Sequence, residues 1–221
     1  MSVRKQPRYA ILMAGALFLP LMSGGLASAS ICGASSTSSP HANAALVASN
    51  QSAAASVVYA LDIQLHEHAA LATPALQAQL RGEPNAAAVA LAVDNNSQMI
   101  ANSVEQLYPG THDQFLQLWR AHIDYYKQYL AAASNNDQAG KDQAKQNLGQ
   151  FVNSLTALLG TANPHINKGV PSEHLTIHGN QTLAIIDALV ADDYTTVYRL
   201  SNEAYVHMTM VAEAMAPKYN P

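Results

Sequence analysis

Residues 112–134 read HDQFLQLWRAHIDYYKQYLAAAS, and this stretch decides the fold class of the chain. Its apolar residues recur at steps of three and four positions, which is the spacing of one face of an α-helix. The resulting stripe consists of Phe115, Leu118, Trp119, His122, Tyr126, Tyr129 and Leu130. The segment therefore predicts an amphipathic helix that carries a histidine at the middle of its core-facing side.

The same spacing continues on both sides of this segment, and no sustained period-two pattern of a β-strand occurs. Breakers and caps such as Gly82-Glu83-Pro84 and Asn163-Pro164 separate the helical stretches. The other helices are predicted at residues 45–81, 86–108, 138–160, 171–191 and 193–216. Pro74 lies inside the first helix, so we expect a kink or a division there. The pattern predicts an all-α bundle of about six helices.

The six predicted helices group into three hairpin repeats. The first helix of each hairpin carries a histidine near its middle, namely His68, His122 and His178. Because a single hairpin of this size cannot bury its apolar face alone, we expect the three hairpins to pack together.

The N-terminus has the features of a secretory signal peptide, predicted over residues 1–29. A basic start with Arg4, Lys5 and Arg8 precedes an apolar run, and small residues follow at the cleavage site. A linker rich in Ser and Ala is predicted over 30–43, and the helical domain over 44–217. These features predict a secreted or periplasmic protein.

Cys32 is the only cysteine, so no disulfide can form within one chain. Its place just after the predicted cleavage site is that of a lipoprotein cysteine. However, Ile31 precedes it where a small residue is expected, which argues against a lipid anchor.

The charge balance excludes several classes of partner. Removing Arg4, Lys5 and Arg8 from the eleven Lys and Arg residues leaves eight, against fifteen Asp and Glu and nine His. Such an acidic chain is not expected to bind nucleic acid, whose phosphates require Lys and Arg. After removal of the signal peptide, no apolar run is long enough for a transmembrane span. Histidine thus outnumbers permanent positive charge in the exported chain.

Four histidines lie on core-facing stripes of four different predicted helices: His68, His122, His178 and His207. A buried imidazole needs a hydrogen-bond partner or a metal ion. Four neutral imidazoles at similar depth would form a ligand set for a transition metal, of the copper or zinc class, with haem as a second candidate. The sequence therefore predicts a non-enzymatic binding protein whose partner is a metal ion or small ligand.

Other side chains could complete this site. The possible additional ligands share a helix face or a neighbourhood with the four histidines: His174, Glu203, Met208 and Met210. Outer partners that could orient the ligands are Asn96, Trp119, Tyr126 and Tyr205.

Two alternatives stay open on the residues alone. The histidines could form a structural hydrogen-bond network with Asn and Tyr, in a structural or envelope-associated interaction module. A haem protein or a metalloenzyme is a further option. However, the di-iron Glu-x-x-His pattern, Cys-x-x-Cys-His, His-Glu-x-x-His and Gly-x-Ser-x-Gly are all missing from the sequence. Nothing in the sequence identifies an enzyme, a specific metal or an oligomeric state.

Three strings resemble a group of secreted bacterial all-helical domains of unassigned function. They are residues 67–71 (EHAAL), 118–126 (LWRAHIDYY) and 203–208 (EAYVHM). Members of that group are sometimes found beside N-terminal modules that resemble copper amine oxidases. The resemblance spans about residues 57–216 and implies an exported helical bundle, with no activity attached.

Overall fold

The computed structural model describes residues 40–217, and it describes side chains over residues 53–217. This part of the chain is all-helical and contains no strand. The helices are α1 (Pro40–Arg81), α2 (Ala86–Leu107), α3 (His112–Ser134), α4 (Gln138–Ala162), α5 (Gly169–Val190) and α6 (Tyr194–Met215). The predicted all-α fold with six helices is therefore confirmed.

The helices pack as three hairpins, α1 with α2, α3 with α4, and α5 with α6. The last helix also returns to lie along α1, while α3 contacts both α2 and α5. These contacts between hairpins bury the apolar faces that the hairpins could not bury separately. The prediction of a bundle of hairpins is confirmed.

Short connections end the helices where the sequence carries turn residues. Four of the connections contain a residue with positive φ: Gly82, Gly110, Asn136 and Asp192. Glycine, asparagine and aspartate tolerate this left-handed conformation better than other residues do. Two aspartates then cap the following helices. Asp137 accepts a hydrogen bond from the backbone N–H of Gly140, and Asp193 accepts one from Thr196.

Two regions differ in detail from the expectations. Helix α1 runs through Pro74 without being divided, and Thr73 beside it bonds to Ser201 of α6 at 2.9 Å. The same helix begins at Pro40, whereas the linker was expected to extend to residue 43. The predicted signal peptide (residues 1–29) and Cys32 lie outside the described residues. Of the helices described, none is both long and apolar enough to cross a membrane.

Buried apolar side chains form two clusters within the bundle. The first contains Leu61, Phe115, Trp119, Leu155 and Met208 among others, and joins α1, α3, α4 and α6. The second centres on α3 and α5. Its members include Leu76, Tyr126, Tyr129, Ile186 and Leu189. The site described below lies where the two clusters meet.

Tyr108, which directly follows α2, generates a prediction about the contact between the end of α2 and the end of α6. Its buried hydroxyl donates a hydrogen bond to the backbone carbonyl of Met215. Burial also raises the pKa of Tyr108 to about 12. Tyr108→Phe is expected to lower the free energy of unfolding by about 1 kcal/mol, since the carbonyl loses its partner. Urea denaturation measures this change. The control is Tyr59→Phe, because the side chain of Tyr59 is 67% exposed. Equal changes in the free energy of unfolding for the two substitutions would contradict the prediction.

Candidate functional site

Three buried histidines from three helices come together in the interior. His68 of α1, His122 of α3 and His178 of α5 are only 4%, 2% and 9% exposed. The ring centres of His68 and His122 lie 5.6 Å apart. His178 lines one cavity together with His68 and another together with His122. We call these three residues the histidine cluster.

Aromatic rings enclose the middle member of this cluster. Phe151 stacks on the His122 ring with centres 4.6 Å apart and planes 19° from parallel. Trp119 meets the same ring edge-on at 4.6 Å and lies 5.2 Å from His68. Tyr126 completes the enclosure, with its ring centre 5.7 Å from that of His122. Packing against these three rings therefore holds the imidazole of His122 in one orientation.

The polar atoms of this region lack hydrogen-bond partners among the described residues. They are Nδ1 of each member of the histidine cluster, the indole Nε1 of Trp119 and the amide oxygen of Asn96. The amide nitrogen of Asn96 is engaged, since it donates to the backbone of Gln64 at 2.9 Å and to Glu67 at 3.1 Å. A buried polar atom without a partner costs about 1–3 kcal/mol. The cluster thus has unused capacity to bind a polar group or an ion.

Burial also sets the protonation state of the histidine cluster. Loss of solvation lowers the pKa of His68 to about 4 and that of His178 to about 3. Burial, and then positive charge on its two neighbours, holds the pKa of His122 well below its ordinary value. At neutral pH all three imidazoles are therefore uncharged, and each has a ring nitrogen with a free lone pair.

Two cavities adjoin the cluster. A cleft of about 340 Å³ opens between α3, α4 and α5, and His122, His178, Trp119 and Tyr126 line it. A smaller cavity of about 40 Å³ lies against His68, His178, Tyr126 and Thr182. Because a water molecule occupies about 30 Å³, the smaller cavity has room for one water or one ion. The cluster is thus reached from a cleft although it is buried.

The sequence placed His207 on a core stripe, but it lies outside the histidine cluster, although a positive charge on it lowers the pKa of His178. It is half-buried, and its ring lies 5.2 Å from that of His174. Its Nε2 is 3.3 Å from the backbone carbonyl of His174, to which it donates in the matching tautomer. Met208, the next residue, occupies the buried side of α6 together with Ala204 and Val211.

The remaining residues suggested by the sequence divide into two groups. Trp119, Tyr126 and Asn96 lie at the cluster, and Asn96 faces His68 closely enough to affect its pKa. Tyr205 does not, because it is 43% exposed and packs edge-on against His66. The possible additional ligands are also elsewhere. Met208 is buried in the first apolar cluster, whereas Met210 is exposed and Glu203 pairs with Arg199 at the surface.

The wall of the cleft on α4 was missed by the sequence reasoning. Lys145, Gly149 and Val152 lie one helical turn apart on one side of α4 and line the cleft. A glycine in the middle of a helix, one turn after Lys145 and one turn before Val152, was the available signal.

Comparisons with known proteins identify no relative, since no protein-family model, curated protein or solved structure matches the chain. Within residues 53–217, no three His, Cys, Asp or Glu side chains are already arranged to hold a metal ion. The resemblance to secreted helical domains stays a prediction.

The lowered pKa values predict that acid destabilises the fold. The unfolded chain binds protons on these histidines near pH 6.5, whereas the folded chain binds them only near pH 4 at His68 and pH 3 at His178. The free energy of unfolding should therefore fall as the pH drops below 6.5, by about 1.4 kcal/mol per pH unit for each histidine. Urea unfolding between pH 7.5 and 4.5, in the presence of EDTA, measures the slope.

His178→Leu is expected to reduce that slope by about 1.4 kcal/mol per pH unit. The substitution removes one of the histidines that are protonated in the unfolded chain but neutral in the folded chain. His165→Gln, a change at an exposed residue between α4 and α5, should leave the slope as it is. A His178→Leu protein with the slope of the unsubstituted chain would refute this assignment.

Proposed function

We propose that this protein is an extracytoplasmic, non-enzymatic binding protein that holds a transition metal ion through His68, His122 and His178. One observation carries the proposal: three neutral imidazoles share one buried site, and the Nδ1 atom of each lacks a partner among the described residues. Neutral imidazole is the form that binds metal ions. The predicted signal peptide supports a location outside the cytoplasm.

The spacing of two of the rings, those of His68 and His122, is close to that expected for a shared ion. Imidazole nitrogens bind zinc at about 2.0–2.1 Å, which places two rings on a tetrahedral ion with their centres about 5 Å apart. The centres of His68 and His122 are 5.6 Å apart. On metal binding, the three rings would rotate about their χ angles until their nitrogens point toward one ion.

The ligand type favours copper or zinc. Three imidazoles without a carboxylate suit Zn and Cu rather than Mg or Ca, which prefer oxygen ligands. The cleft beside His122 and His178 gives a fourth ligand access from solvent. The cleft of about 340 Å³ is smaller than a porphyrin, which argues against haem.

The non-enzymatic part of the proposal is supported by the surroundings of the cluster. Glu67, the carboxylate that reaches this region, is exposed and accepts a hydrogen bond from Asn96. No aspartate or glutamate lines the cleft among the described residues. A role in sequestering or buffering the ion therefore explains the site more simply than acid–base catalysis does.

His122→Phe tests the metal site without creating a cavity. Phenylalanine preserves the stacking on Phe151 and removes a buried nitrogen that lacks a partner. Addition of Zn²⁺ or Cu²⁺ should raise the melting temperature of the full, untagged chain, because an ion that binds only the native state stabilises it. In the His122→Phe protein this shift should be lost, while the metal-free melting temperature should be unchanged or higher.

Two matched variants complete the experiment. His165→Gln and His207→Ala should both keep the metal-dependent shift, since neither residue belongs to the histidine cluster. A metal-dependent shift in His122→Phe as large as in the parent chain would overturn the proposal. The absence of any shift in the parent chain, with no metal in the purified protein, would favour the structural alternative.

A further inference from the structure

The cleft beside the histidine cluster has features of a small-molecule site that metal binding alone does not explain. Its walls are largely apolar, with Leu148 and Val152 from α4 facing Leu175 and Leu183 from α5. Phe151 and Trp119 add aromatic surface at the inner end. Concave sites of about 300–1,000 Å³ with apolar walls and a few polar groups are typical of ligand pockets.

Two groups of the cleft, the indole of Trp119 and the ammonium of Lys145, favour an anionic hydrogen-bond acceptor. The indole N–H of Trp119 is buried, can only donate, and has no partner among the described residues. Lys145 is the one residue with a permanent charge in the lining of the cleft, where no carboxylate occurs. An ammonium group beside Lys145 would therefore meet a like charge, whereas an anionic oxygen would meet a donor and a positive charge.

The volume limits the size of the ligand. A water-sized atom occupies about 30 Å³, so the cleft of 340 Å³ holds roughly eleven such atoms. A single ring with one short substituent, or a branched chain of similar size, fills this space. Larger molecules would have to extend past Thr176 and Asn180 into solvent.

We propose that the cleft binds a small apolar carboxylic acid. Its ring or branched chain lies between α4 and α5, against Leu148, Val152 and Leu183. Its carboxylate oxygen accepts the hydrogen bond of Trp119 Nε1, and Lys145 provides the compensating charge. This inference does not depend on the proposed metal ion, because neither Trp119 nor Lys145 is one of the proposed metal ligands.

Trp119 supplies a direct readout because it is the only tryptophan of the chain. The probes are benzoate, phenylacetate and isovalerate, with benzylamine as a matched cation, added to the full chain in EDTA. At least one of the three carboxylates should change the Trp119 fluorescence in a saturable way and release heat in calorimetry. Benzylamine should do neither. The proposal is overturned if none of the carboxylates binds, or if benzylamine binds as well as they do.

Gly149→Leu blocks the cleft without threatening the fold. A Cβ atom built at Gly149 meets no atom within 4 Å, so the new side chain has open space. Leucine is also a better helix former than glycine, and the melting temperature should rise. Affinity for the best carboxylate is expected to fall at least tenfold. Gln150→Leu, an exposed neighbour outside the cleft lining, should keep the parent affinity.

The carboxylate experiment gives its result whether or not the protein binds a metal ion. All measurements are made without metal, so loss of metal binding in His122→Phe has no bearing on the carboxylate result. Equal affinities of Gly149→Leu and the parent chain would place the bound carboxylate outside the cleft and overturn the proposal. Lys145→Gln should weaken binding of the carboxylates about tenfold, and an unchanged affinity would refute the role of its charge.

Discussion

The structure depends on one constraint: three imidazoles and one indole N–H are buried where two apolar clusters meet. Each of these nitrogens costs about 1–3 kcal/mol where neither a water molecule nor a ligand satisfies it, and the free energy of unfolding of a typical domain is about 5–15 kcal/mol. Four such groups without any partner would therefore remove a large part of the net stability. Apolar packing must offset this cost, through buried residues such as Leu65, Ile100 and Leu155 on three different helices.

Much of the fold could be predicted because local chemistry determines it. The helix spacing from Phe115 to Leu130 and the turn residues between segments placed the ends of most helices within two residues of those observed. Asn136 and Asp192 adopt positive φ where the sequence showed polar breaks. Pro74 was less informative. A proline within a helix removes one hydrogen bond, but the tertiary contacts of α1 with α2 and α6 hold the helix together around it.

The site could be predicted only in part, because convergence of side chains is a tertiary property. The stripes of three helices correctly placed His68, His122 and His178 in the interior, yet nothing in them determines which rings come close. On α6 the pattern was ambiguous by one residue, since both His207 and Met208 continue a stripe that contains Ala204 and Val211. Met208 is the more apolar side chain and takes the buried position. His207 consequently lies beside His174 instead.

The structural alternative and the binding proposal differ in what they require of the same atoms. A core network that exists only to organise the bundle should close its hydrogen bonds, because a partly satisfied buried network is less favourable than an apolar core. Here Asn96 directs its amide nitrogen to Gln64 and Glu67, while its oxygen and the Nδ1 atoms of the cluster lack partners among the described residues. Leucine or phenylalanine at His122 would fill the same space at lower cost. We therefore propose that a ligand completes the valences of these atoms, rather than a network that serves the fold alone.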